Sequence, residues 1–126
     1  MERRVSTYTG ITGDNPVPRT SRKGPLIFSS MITGRDPASG RMPDGIEAQA
    51  RHLFGHIRAL VVGAGGTTDD IVKVDLWMVD RRDRAALDAE WVAMFPDKMS
   101  RPARHTRQAE LEDGQLIVAT FIAVVT

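Results

Sequence analysis

The chain has 126 residues, 41% hydrophobic and 26% charged, with 17 Lys plus Arg, 16 Asp plus Glu and no cysteine. That length and balance imply one soluble globular domain spanning 1–126 and exclude collagen-like and wholly disordered readings. A formal charge of +1 gives no global field for nucleic acid or an anionic membrane, and the lack of cysteine removes disulfides, thiolate metal sites, iron–sulfur clusters and Cys nucleophiles. No apolar run approaches the roughly 20 residues of a bilayer span; no membrane partner is expected and the expected location is cytoplasmic.

Taken in chain order, Arg3–Thr9 reads as a short strand and Gly10–Gly24, dense in Gly, Pro, Asn, Ser and Thr, as a loop. Leu26–Met31 suits a strand, and Thr33–Gly45 returns to turn residues. Ile46, Ala50, Leu53, Phe54, Ile57, Leu60, Val61 and Ala64 recur at spacings of three and four and predict a helix over Ile46–Ala64. Asp44 or Gly45 caps its start, with Glu47 placed as in a capping box, and Gly65-Gly66 stops it. Gly55 inside this helix costs about 1 kcal/mol against Ala, which points to close packing there.

Thr67–Asp70 reads as a tight turn and Ile71–Val79 as a strand, with Val72, Val74, Leu76 and Met78 on one face and Lys73, Asp75 and Trp77 on the other. Asp83–Phe95 is a second helix with Leu87, Trp91, Met94 and Phe95 inward, ended by Pro96. Ala103–Ala109 is a polar strand, Glu112-Asp113-Gly114-Gln115 a hairpin turn signal, and Leu116–Val125 a strand apolar on both faces. The order predicts a two-layer α+β domain with both helices on one face of the sheet. Helices cover one face only, so the second apolar face of Leu116–Val125 is expected to meet another copy of the chain.

Several segments match a known pattern in order and spacing: Ser30, then Asp36-Pro37-Ala38-Ser39-Gly40, Ile46-Glu47-Ala48-Gln49-Ala50-Arg51, Asp69-Asp70-Ile71-Val72-Lys73-Val74, and Arg101-Pro102-Ala103-Arg104. From about Pro16 to Val125 the chain resembles the RidA/YjgF family of reactive-intermediate deaminases, also known as L-PSP endoribonuclease-like proteins. The resemblance implies a chorismate-mutase-like fold with a six-stranded mixed sheet, two helices on one face and a homotrimer. It also implies hydrolysis of enamines and imines such as 2-aminoacrylate to keto acids and ammonia, in clefts between subunits, with no metal or organic cofactor. The partner expected is then a small carboxylate metabolite.

Arg104 matches the carboxylate-binding arginine of that family. Its planar fork suits a carboxylate, and the competing reading is an ion pair with Asp or Glu. Ser30 matches a serine bordering the site, where its hydroxyl meets substrate or water or bonds its own backbone. Thr106 shares the strand face of Arg104, whereas His105 points away from it. Arg101, Arg104 and Arg107 read as a basic cluster suited to a substrate with more than one anionic group, or as a solvated charged loop.

The remaining positions implied to line the pocket depart from the family pattern. Val17 replaces an aromatic residue, Met31-Ile32 replace Gly-Gln, and Asp88 stands where an Asn is usual. Val118 occupies the position of the water-activating Glu, with Thr120 two residues on, and neither is a carboxylate. Asp88 replaces the missing base only if it points inward, and Glu110 only through a neighbouring subunit or a strong bend. His52 and His56, at i and i+4, lack the glutamate of a zinc motif and read as surface histidines. Gly63, Gly65 and Gly66 end a helix rather than open one, so they are no phosphate loop. Trp77 and Trp91 read as core or interface anchors. Two further functions stand beside the deaminase: a non-catalytic binder of a small acidic metabolite, favoured by Val118, and an RNA-cleaving protein, disfavoured by neutral charge and 6% aromatics.

Overall fold

The helical spacing at 46–64 produces α1 (Ile46–Gly63), and the second stripe produces α2 (Arg84–Met94). The computed structural model describes residues 2–8 and 15–126. Its strands are β1 (Val5–Thr7), β2 (Thr20–Lys23), β3 (Leu26–Ser29), β4 (Ile32–Thr33), β5 (Ile71–Met78), β6 (Ala103–Gln108) and β7 (Ile117–Val124). They form one sheet in the order β1-β2-β3-β7-β5-β6, and β4 is a further short strand paired to β7. The sheet therefore has seven strands among the described residues, one more than the six expected.

Strand direction explains the layering. β7 is antiparallel to both β3 and β5, and β5 is parallel to β6. Two parallel crossovers result, β3 to β5 by way of α1 and β5 to β6 by way of α2. Both advance in the same direction across the sheet, and crossovers of the usual right-handed sense then place both helices on one face. The core lies in that layer: Leu53, Ile57 and Val61 of α1 and Leu87 of α2 meet Val74, Leu76, Met78, Ala119 and Phe121, all buried.

α1 ends in a Schellman motif. Gly65, at φ +99°, takes the left-handed turn, its amide donates to Val62 O (3.0 Å), and the Gly66 amide donates to Val61 O (2.9 Å). Gly34 is held by a different constraint, since a Cβ there would collide with the Gln49 backbone of α1. Gln49 itself is the buried polar residue of the helix stripe. Its amide nitrogen donates to Pro43 O (2.6 Å) and Gly114 O (2.8 Å), and its oxygen accepts from the Leu116 amide (2.8 Å). Each polar atom is thus satisfied, and the start of α1 is tied to the entry of β7.

Several expectations change. Thr20–Lys23, read as part of a loop, is β2, held between β1 and β3 by backbone pairing that its polar sequence does not signal. Thr9 and residues 10–14 of the expected strand and loop lie outside the described residues. The turn at 112–115 forms, with the Gln115 amide donating to Glu112 O (2.9 Å), but it closes no hairpin because β5 lies between β6 and β7. Gly45 is the N-cap of α1, as expected, but without a side-chain hydrogen bond; a capping box forms instead at Thr67 and Asp70, whose short 3-10 turn (Thr68–Asp70) leads into β5. A bulge between Ile71 and Lys73 turns Val72 outward, 48% exposed, and puts Ile71 in the core instead. Gly55 is exposed and nothing lies within 4 Å of an added Cβ, so close packing is not its reason.

Candidate functional site

The candidate residues fall into two groups on opposite parts of the sheet. The first is at the β6 edge. Arg104 is in register with Val74, whose side chain is in the core, so the guanidinium rises on the helix face. There it lies 5.1 Å from the Trp91 ring centre, and its Nη2 forms an ion pair with Asp88 Oδ1 of α2 at 2.9 Å. The Arg104 side chain is 17% exposed and that of Asp88 47%. Trp91 is in turn packed edge-on to Phe95, with ring centres 4.8 Å apart. The Trp91 ring orients the guanidinium and the Asp88 carboxylate stands beside one of its nitrogens. Asp88 therefore points to Arg104 rather than away into solvent.

Thr106, in register with Leu76, shares that face. Its hydroxyl is buried and has no hydrogen-bond partner among the described residues.

The expected basic cluster does not form. Arg107 is in register with Trp77 on the other face, 5.1 Å from its ring, and pairs with Asp75 Oδ1 at 3.3 Å. Arg101 donates from Nε to Phe95 O (2.7 Å), which satisfies a carbonyl at the end of α2. His105, in register with Asp75, stands on the face away from Arg104 as alternation requires. Glu110 is exposed beyond the end of β6.

The second group lines a cleft of about 870 Å³ between α1, the first strands and the segment after β3. Val17, Ser30 and Met31 meet here, together with Arg19, Asp36 and His56. His56 Nε2–H donates to Arg35 O (2.7 Å), so this histidine fixes the wall of the cleft. The Ala38 amide donates to Asp36 Oδ1 (2.8 Å) and holds that carboxyl below the usual carboxylate range. Arg19 and His56 were missed from the sequence: the stretch around Arg19 shows no periodicity, and His56 stood out only for its spacing from His52.

β3 and β6 are three strand spacings apart, about 14 Å. Within one chain, Ser30 and Arg104 therefore do not share a ligand. Val118 belongs to neither group. It is 1% exposed, in register with Trp77 and Thr33, and offers no group that takes a proton.

The comparisons with known proteins agree with this fold. The family model for Endoribonuclease L-PSP matches residues 17–124. A RutC family protein of Haemophilus influenzae is 36% identical over 74 residues, which are 59% of this chain and 57% of that relative. The 2-iminobutanoate/2-iminopropanoate deaminase of Escherichia coli K12 is 29% identical over 97 residues, covering 77% of this chain and 76% of that protein. Among solved structures, RidA from the Antarctic bacterium Psychrobacter sp. superposes with a TM-score of 0.86 at 26% identity, covering 96% of this chain and 99% of that one. The YjgF gene product of Escherichia coli gives 0.85 at 27% identity, covering 95% and 98%. With its two helices on one face of a mixed sheet and a family match over most of its length, the chain belongs to the RidA/YjgF family, the L-PSP endoribonuclease family.

Proposed function

We propose that the chain binds a small 2-imino or enamino carboxylate in a cleft between copies of a homotrimer and hydrolyses it to a keto acid and ammonia. The observation that carries this reading is Arg104: a guanidinium shielded by Trp91, beside the unpartnered Thr106 hydroxyl. The substrate carboxylate takes the Arg104 fork, displacing or sharing Asp88. Water adds its oxygen to the imine carbon, the carbon–nitrogen bond breaks and the nitrogen leaves as ammonia. Ser30 follows β3, which lies about 14 Å across the sheet from β6, and serves this step only from a neighbouring copy. The deaminase name of the Escherichia coli relative supports the reaction class. No helix among the described residues is long and apolar enough to cross a membrane, and the reading places the chain in the cytoplasm.

Val118 favours a second reading. A positioned general base typically contributes about 10²–10⁴-fold, and a buried valine contributes none. On that reading the same site holds a carboxylate metabolite without turning it over. The two are separated by ammonia release from enzymatically generated 2-aminoacrylate. Release above the buffer rate is the expected result; no release leaves the binder.

The anchor is tested separately. A bidentate charge-assisted contact contributes about 1.5–3 kcal/mol, so Arg104→Lys should weaken calorimetric binding of 2-oxobutanoate by about tenfold or more. Unchanged affinity in a folded variant rejects Arg104 as the anchor.

A further inference from the structure

The cleft beside α1 has a cation of its own. Among the described residues, the other half-buried arginines each have an acceptor. Arg22 donates to Gly24 O and Ala64 O, Arg101 to Phe95 O and Arg107 to Asp75, and Arg104 is ion-paired with Asp88. Arg19 is also half-buried, yet its guanidinium has no hydrogen-bond or ion-pair partner among the described residues. Its backbone is pinned on both sides, the Arg19 amide donating to Thr7 O (2.6 Å) and the Ser30 amide to Arg19 O (3.0 Å). The side chain thus starts from a fixed root beside Ser30, on the wall of the same cleft.

A partly desolvated guanidinium whose donors find no acceptor among the described residues favours an anion. Burial indeed holds Arg19 below its ordinary value, though an arginine stays charged. The neighbouring charges do not cancel it. Asp36 is one negative charge against the two positive charges of Arg19 and Arg35 on the same cleft, and Arg35 donates to the neutral Gly40 carbonyl. The cleft, about 870 Å³ and open to solvent, has room for a second acidic group.

We propose that this cleft receives the second acidic group of a dicarboxylate and that Arg19 is its anchor. The preferred substrate is then an acidic 2-imino acid, its first carboxylate on Arg104 of a neighbouring copy. That last step rests on the function proposed above; the anion site at Arg19 does not. The specificity determinant sits on β2's entry, not in the Arg101–Arg107 run where the sequence suggested it.

The test is calorimetry on the full chain with two probes, 2-oxobutanoate and 2-oxoglutarate. Wild type should bind 2-oxoglutarate at least tenfold more tightly. Arg19→Gln should abolish that preference and leave 2-oxobutanoate within twofold, and Arg19→Lys should keep part of it. Equal affinity for the two acids in wild type, or a preference that survives Arg19→Gln, overturns the proposal. Circular dichroism checks that each variant is folded, and Arg19→Lys carries the test if Arg19→Gln is not. Arg104→Lys separates the two readings: if it leaves both acids unaffected while Arg19→Gln removes the preference, Arg104 is not the anchor but Arg19 is. Binding of neither acid overturns both.

Discussion

One strand supplies both faces of this sheet, and the faces have different fates. Ile117, Ala119, Phe121 and Ala123 of β7 are buried under α1 and α2. Thr120, Ile122 and Val124, on the opposite face, are only half-buried, beside Leu26 at 43% and Phe28 at 48% exposure. On the same open face Asp75 pairs with Lys73 and Arg107. Composition along β7 barely distinguishes the two sets. What separates them is the handedness of two crossovers, which spends both helices on one side. The remaining apolar face is left uncovered by the chain's own helices.

The sharpest way to break that contrast is a charge on the open face. Phe28→Asp would bury an unpaired carboxylate in each copy of the proposed trimer, an effect of about 3–5 kcal/mol per site. Light scattering at micromolar concentration should show about three chain masses for wild type and one for the variant, with far-UV circular dichroism unchanged. A wild-type monomer overturns the assembly. On the helix face the expected response is the reverse. Leu53→Ala opens a cavity among fully buried neighbours and should lower denaturant stability by about 3–4 kcal/mol without introducing any charge on the open face. Smallest is a change that touches neither face. Gly55 lies on the exposed side of α1 with room for a Cβ, so Gly55→Ala should raise stability by about 1 kcal/mol. A loss there would mean that this side of α1 is covered.

The helices and β7 were legible because their periods repeat over long stretches: the stripe from Ala50 to Val61, and Leu87 with Trp91. β2 was not, since Thr20–Lys23 carries no alternation and is a strand only through its neighbours β1 and β3. The turn at 112–115 was legible as a turn, but which strands flank it in space is a long-range property, and β5 enters between them. The site divides along the same line. Strand parity correctly separates Arg104 from His105 and, carried one step further, separates it from Arg107 as well. That Asp88 meets Arg104, or that Arg19 joins Ser30, depends on contacts between elements and leaves no mark in a local window.

The Arg104–Asp88 pair also sets a threshold. On the function proposed above, an incoming carboxylate does not find a vacant cation; it exchanges with a tethered one. A tethered group competes at an effective concentration on the order of millimolar, so net affinity is the difference between two similar contacts. Trace carboxylates are then screened out by the protein itself, and a ligand gains the site only by offering what Asp88, tied to α2, does not: both oxygens squarely on the fork, a partner for the Thr106 hydroxyl, or a second attachment elsewhere.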